Sequence, residues 1–429
     1  METLKVQRIK KISLGMLDYL WRNTGYSQEK ALFNIAYLLA YKYADKNRRI
    51  PDAYSWQSVL ESKNEYIVEM LNSEIGHVID FLNNIDIKLT LKSIHVLHIM
   101  QFIEELDGYL GDEISYGDAF NILLGSTNLE ERNNTQGPVT EIIIKLLANM
   151  SIPTNGRIGN ANCGHGQFLV GMLKMLEISP NYRIQQYSHI EENISVQGFD
   201  IATENIAITT FQLFFNDFPT RNLKQENFLS VKEEKKFSLL VITPPFGSGY
   251  VKSNQGLLPL DIVKTVAQEV SYLLKAIEVV MKGGTGVIVL PEGFFSSSSY
   301  RDIRKWLLNT VVVEGIVSLP RGLYKKSGIK ISVLIFRKPT YLSKDPLNKY
   351  VWFYEIDKSD LEYNDLGIPI LNDSKDLKNS WEAKHSDFLK WKSYLDNNNE
   401  KFSNYPLSDK NNQKVTFATY NQIKDQEYN

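Results

Sequence analysis

The 429-residue sequence holds one cysteine, Cys163. A single thiol excludes an internal disulfide framework and any zinc site built from several cysteines. No run approaches the roughly 18 consecutive apolar residues that a membrane-crossing helix needs. The basic start, Met1 to Lys11, leads into no uncharged apolar stretch of the kind a signal peptide carries, so a cytoplasmic location is expected. Excess charge is missing too, because 48 Lys+Arg against 50 Asp+Glu leave a formal net charge of -2. A chain so balanced must reach any nucleic acid through a local basic patch or a partner.

What is present is ordinary for a folded chain. A hydrophobic share of 43% and a charged share of 23% exclude wholesale disorder. Three regions separate by pattern. From Leu14 to about Gly111 apolar residues recur at helical spacing, as in Leu32, Ile35, Leu38 and Leu39, and glycine is scarce. This predicts a helical domain over 1–125. From 126 to 340 short β-rich runs alternate with helical stretches, which predicts βαβ units and a doubly wound, mainly parallel sheet. The runs are Ser195–Ile201, Phe237–Thr243, Gly286–Leu290, Val312–Leu319 and Lys330–Phe336. The last two lie close together and read as an antiparallel pair at the sheet edge. The remainder, 341–429, is mixed and becomes polar.

Three segments carry chemistry. Asn160-Ala161-Asn162-Cys163-Gly164-His165-Gly166-Gln167-Phe168-Leu169 follows a weak strand and opens a helix. Its two glycines permit a tight turn and close approach to a ligand, but Leu169 replaces the third glycine of a dinucleotide fingerprint, which disfavours NAD and FAD. Asp200 ends the next strand, where a carboxylate either accepts the two hydroxyls of a ribose or caps a solvated strand end. Thr243-Pro244-Pro245-Phe246-Gly247 follows the apolar run Ser238–Ile242. The two prolines either simply end the strand or leave the Pro244 carbonyl and Thr243 hydroxyl as acceptors for the two hydrogens of an exocyclic amine. In the second case Phe246 offers a face on which a base stacks.

In this order the segments resemble the amino-methylating DNA methyltransferases. The string Gly283-Gly284-x-Gly286-Val287-Ile288-Val289-Leu290-Pro291-Glu292-Gly293 is similar to their following strand. Arg304-x-x-Leu307-Leu308, Ile316–Pro320, Gly322-Leu323-Tyr324 and Ile331–Lys338 read like the modification subunit of type I restriction systems, as does Tyr116–Phe120. The resemblance implies a seven-stranded S-adenosylmethionine-dependent methyltransferase fold with an N-terminal helical domain. It implies S-adenosylmethionine as methyl donor and the N6 amine of adenine in double-stranded DNA as acceptor. Carried over by position, Asn160, Cys163, Gly164, Gly166 and Phe168 face the donor, Asp200 its ribose and Asn227 its adenine. Thr243, Pro244, Pro245 and Phe246 hold the target base. The implied partners are a separate specificity subunit, a second copy of the chain and a restriction subunit, with no membrane.

The departures from the family pattern are Asn160-Ala161-Asn162 before the glycines, Thr243 in place of Asn or Asp, and Gln136-Gly137-Pro138 upstream. They keep two alternatives open: a donor-binding or DNA-docking scaffold without catalysis, and methylation of cytosine N4. His95 and His98 share a helical face and read as structural. Pro51-Asp52 with Glu61-x-Lys63 imitates a nuclease motif but lies in helix or loop. Arg321, Lys325, Lys326, Lys330, Arg337 and Lys338 read equally as a solvated hairpin and as a phosphate-contacting rim.

Overall fold

The structure, a computed structural model, describes residues 2–62, 66–75, 87–127, 137–148, 156–178, 194–232, 236–246, 250–252, 265–323, 329–340, 350–356, 361–363, 369–371 and 415–419. Contacts divide the chain into two compact units. One comprises 1–134, 163–170 and 200–225, and the other 135–162, 171–199 and 226–429.

The first unit is mainly helical. Helices Glu2–Thr24, Gln28–Lys46, Ser93–Asp107 and Tyr116–Gly125 enclose one apolar core. Local chemistry sets their starts. Ser27 accepts from the Lys30 N–H, and Ser115 with Asp118 forms a reciprocal capping box. Gln28–Lys46 is buried nearly all round, and its Tyr37 and Tyr41 hydroxyls donate to the carbonyls of Leu71 and Tyr54 at 2.7 and 2.6 Å. Helix Thr203–Phe214 contributes Ile208, Phe211 and Phe214 to the same core. Each ring buried there stabilises the unit by roughly 1.5–3 kcal/mol.

The strands are β1 (Gly156–Ala161), β2 (Ile194–Asp200), β3 (Leu223–Gln225), β4 (Phe237–Ile242), β5 (Tyr250–Lys252), β6 (Thr265–Ala267) and β7 (Val280–Pro291). They continue with β8 (Val312–Ser318), β9 (Ile331–Arg337), β10 (Tyr350–Glu355), β11 (Leu361–Tyr363), β12 (Pro369–Leu371) and β13 (Val415–Thr419). The main sheet has the order β13-β10-β8-β9-β7-β4-β1-β2-β3. β5 pairs with β6 and β11 with β12 as separate hairpins. The expected seven strands run from β8 to β3 in this order, and β10 and β13 are additions from the C-terminal region. The antiparallel pair β8 and β9 is present, but it does not form the edge. β9 lies between β7 and β8, β10 pairs parallel with β8, and β13 pairs antiparallel with β10.

Burial explains the near-continuous apolar runs. Every residue of β4 is buried, and so are Val287–Leu290 of β7, as strands covered on both faces require. The glycines of the family-like string have structural tasks. Gly283 turns at φ +80° and donates to the Lys338 carbonyl at 2.7 Å. Gly286 lies so close to the Phe336 ring that an added methyl carbon would sit 2.1 Å from it.

From β1 the chain runs outward to β2 and β3, then returns to β4 on the other side of β1. The strand order therefore reverses between β1 and β4, and ligands of doubly wound sheets bind beyond the carboxyl ends at such a reversal. Register fixes the level. Ala161 pairs with Phe199 of β2 and with Ile242 of β4. Asn162, Asp200 and Thr243 are thus the next residues along three adjacent parallel strands. No helix among the described residues is long and apolar enough to cross a membrane.

Candidate active site

The segment leaving β1 is bent by three left-handed residues: Asn162 at φ +60°, Gly164 at +54° and Gly166 at +79°. Asparagine tolerates this region better than most residues with a side chain, which fits its presence at 162. The Gly166 N–H donates to the Cys163 carbonyl at 2.9 Å, closing the turn, and helix Gln167–Ile178 starts directly after. Gly166 also has no room for a side chain, because a methyl there would lie 2.8 Å from Thr209 Cγ2.

Two side chains of neighbouring segments hold the loop. Thr209 Oγ1 donates to the Gly164 carbonyl at 2.7 Å and lies 3.8 Å from Cys163 Sγ. Asp200 Oδ2 accepts from the Gly164 N–H at 3.0 Å, while its Oδ1 accepts from the Ala202 N–H and from Asn205 Nδ2. Three protein donors thus account for the position of this buried carboxylate, and its evident task is to tie the end of β2 to the glycine loop. Thr209 and Asn205 were not among the expected residues. The sequence did not single them out, because helix Thr203–Phe214 also holds Thr210 and Gln212 among its buried residues.

Burial also sets the protonation of the loop. It lowers the His165 imidazole from its usual 6.5 to about 4, so the ring is neutral at pH 7. Burial, aided by the nearby Asp200 charge, pushes the Cys163 thiol well up and keeps it protonated. Residues 160–169 then carry no charge of their own. They do carry buried polar atoms without a partner among the described residues: Asn160 Oδ1, Asn162 Oδ1, His165 Nδ1 and Gln167 Oε1. The orientation of Asn160 is fixed, since its Nδ2 donates to the Val241 carbonyl at 3.1 Å. Asn162 Nδ2 reaches the Tyr272 hydroxyl at 3.2 Å. A buried acceptor left without a donor costs about 1–3 kcal/mol. Three such amide oxygens and one imidazole nitrogen, which accepts or donates according to its tautomer, fall within eight residues.

The segment leaving β4 is extended coil. Pro244 is buried and Thr243, Pro245 and Phe246 are half-buried. The prolines bring no N–H of their own, so the carbonyls and the Thr243 hydroxyl outnumber the segment's N–H donors. Gly247 lies outside the described residues. Asn227 stands apart in character. It is exposed and caps the short turn Phe228–Ser230 by accepting from the Leu229 N–H at 3.0 Å. Its neighbour Phe228 is buried and stacks on Tyr272, with ring centres 6.3 Å apart.

The remaining candidates sort simply. Tyr19 engages both histidines, its hydroxyl 3.0 Å from His95 Nδ1 and its ring stacked on His98 at 4.0 Å. Asp52 lies in a 3-10 turn and Glu61 in a helix, so neither is borne on a strand, and Lys63 lies outside the described residues. The basic hairpin does not act as one patch. Lys330 pairs with Glu355 at 3.0 Å, Arg337 pairs with Glu314, and Lys338 Nζ donates to the carbonyls of Ile277 and Glu278. Arg337 and Lys338 also lie at the opposite sheet edge from Arg321, because β9 runs against β8. Lys325 and Lys326 lie outside the described residues.

Comparison with known proteins places this architecture. The type I restriction enzyme MpnII methylase subunit of Mycoplasma pneumoniae is 23% identical over 280 residues, 60% of this chain. The chain spans about half the length of that relative, 51%. The type I restriction-modification methyltransferase subunit from Streptococcus thermophilus superposes with a TM-score of 0.69 at 15% identity, covering 100% of this chain and 98% of its own. A Listeria monocytogenes protein described as a class I S-adenosylmethionine-dependent methyltransferase gives 0.53 at 14% identity, covering 83% of this chain and 95% of its own. These likenesses establish the methyltransferase fold. The N-6 DNA Methylase family profile matches residues 114–429, well over half of the sequence, and the chain therefore belongs to that family.

Proposed function

We propose that the chain transfers a methyl group from S-adenosylmethionine to the exocyclic N6 of adenine in double-stranded DNA, as the modification subunit of a restriction-modification system. The observation that carries this reading is the register at the strand reversal. The glycine loop, Asp200 and the Thr-Pro-Pro-Phe segment leave β1, β2 and β4 at one level of the sheet. That is the arrangement a two-substrate transfer needs, with donor and acceptor delivered to a common edge.

The loop chemistry suits the donor. Its unpartnered groups include three amide oxygens, which require hydrogen-bond donors, and the ammonium and ribose hydroxyls of S-adenosylmethionine are such donors. With His165 neutral, nothing in residues 160–169 repels a cation, while the Asp200 carboxylate stands behind the loop. Asn160, Cys163, Gly164, Gly166 and Phe168 line the methionine portion in this reading, and Asp200 acts mainly by holding Gly164 in place. Asn227 meets the adenine end. When bound, the sulfonium supplies a methyl group already activated for transfer. The protein's part is positioning. The Thr243 hydroxyl and Pro244 carbonyl accept the two amine hydrogens and aim the nitrogen lone pair, and Phe246 stacks the base drawn from the duplex. No strong general base is required.

A second reading is favoured by specific features. Asp200 already accepts from three protein donors, Asn227 is exposed and used locally, and Thr243 reaches less far than asparagine. These fit a donor-binding or DNA-docking scaffold that does not catalyse. Cytosine N4 presents the same amine geometry and is the other acceptor to test. Sequence recognition falls to a separate specificity subunit, with a second copy of the chain and a restriction subunit completing a cytoplasmic assembly. Calorimetric titration with S-adenosylmethionine separates the readings. Heat of binding is expected, and no binding at millimolar donor would remove the enzyme.

A further inference from the structure

We infer that Arg301 and Arg321, on the segments that follow β7 and β8, contact the phosphate backbone of duplex DNA beside the Thr243–Phe246 segment. The inference depends on the methyl-transfer reading only for the identity of that segment. Its basis is the sheet. β7 pairs parallel with β4, Ile288 against Ile242. Leu290 of β7 and Ser318 of β8 both face Ser332 of β9, so the two strands end level with one another. The chain after each therefore leaves by the same edge as Thr243. In the strand order, β7 is one place from β4 and β8 is three places away. At about 4.8 Å per strand these exits lie roughly 5 and 14 Å from the Thr243 exit.

That span matches the task. Successive nucleotides of one strand advance by about 3.4 Å along the duplex, so phosphates flanking a base held at Thr243–Phe246 pass within this distance. Arg321 stands three residues beyond the end of β8, and Arg301 opens the helix that leads from the β7 exit back to β8. Arg301 and Arg321 are exposed, and neither carries an ion pair among the described residues. Arg301 begins helix Arg301–Thr310 after the serine turn Ser298–Tyr300, with Lys305 exposed one turn along the same face. Its neighbour Asp302 lies about 100° around the helix. Arg321 precedes Gly322, which turns at φ +96°, and the buried Leu323 anchors the segment. Other cations of the same stretch are already committed: Lys330 to Glu355, Arg337 to Glu314 and Lys338 to backbone carbonyls. A guanidinium meets a phosphate with two parallel donors, which makes arginine the apt residue for both places.

The test is fluorescence anisotropy of a labelled DNA duplex with the full chain, across a salt series. Each lost phosphate contact lowers the slope of log affinity against log salt by about 0.9, so R301A/R321A should flatten it by about 2. R301K/R321K should keep most of the slope, R337A should leave it unchanged, and melting of all variants should match the parent. An unchanged slope in R301A/R321A, or no salt-dependent duplex binding by the parent chain, overturns the inference. A parent chain that binds duplex through these arginines yet takes no S-adenosylmethionine leaves this contact standing and removes the methyl-transfer reading.

Discussion

Cys163 and His165 lie two residues apart in the glycine loop, and burial silences both in different ways. The thiol is protonated and enclosed, so it should resist iodoacetamide in the folded protein at pH 8 and react at once in urea. Mass spectrometry reads this cleanly because there is one cysteine. Rapid alkylation of the native chain would show the loop to be open. The imidazole is lowered from 6.5 to about 4 by burial. A depressed histidine binds its proton more readily in the unfolded chain, so its contribution is fully present above pH 6.5 and is lost as pH falls toward 4. The loss amounts to about 3 kcal/mol. Urea denaturation of H165Q should show a smaller fall in stability across that window than the parent, and equal slopes would assign the pH dependence elsewhere. Thr209→Val keeps the shape but leaves the Gly164 carbonyl without its donor, a cost of about 1–3 kcal/mol. Donor affinity should fall along with the urea midpoint, and a variant with unchanged affinity would show that Thr209 does not hold the loop for the donor.

Strands and helices show where sequence was informative and where it was not. The apolar runs of β4, β7 and β9 were legible because strands covered on both faces must be apolar along their length, whereas β8 buries alternate residues. The Gly283-Gly284-x-Gly286 string was legible as a pattern, but its reason, the Phe336 ring on β9, is fifty residues distant. Gly286→Ala should therefore cost about 1–3 kcal/mol through overpacking, and Phe336→Leu should relieve part of it, giving a coupling in a double-mutant cycle. Strict additivity would show that the two do not meet. β10 and β13 were not legible. They are short, come from a mixed and polar region, and owe their existence to pairing with β8 and with each other. The pairing of the basic hairpin was not legible for the same reason. Glu314 and Glu355 neutralise two of its cations from neighbouring strands, and only the sheet brings them together. Within the site, the segments at the strand ends were visible, whereas the donors that capture Asp200 were not, because Gly164 reaches it across 36 positions.

For the whole molecule, the formal charge of -2 fits the division of labour proposed above. In the proposed function the chain would supply the loop that takes the methyl donor, the segment that holds the amine and a small number of arginines, and a specificity partner would supply the rest of the grip on DNA. The central claim is methyl transfer to an adenine amine, and labelled transfer from S-adenosylmethionine to duplex DNA, with the specificity partner present and the product nucleosides separated, tests it most directly. The expected product is N6-methyladenine, lost in Thr243→Ala and Phe246→Ala while donor binding persists. Label in N4-methylcytosine would correct the acceptor, and donor binding without any labelled nucleoside would contradict the account and leave a scaffold.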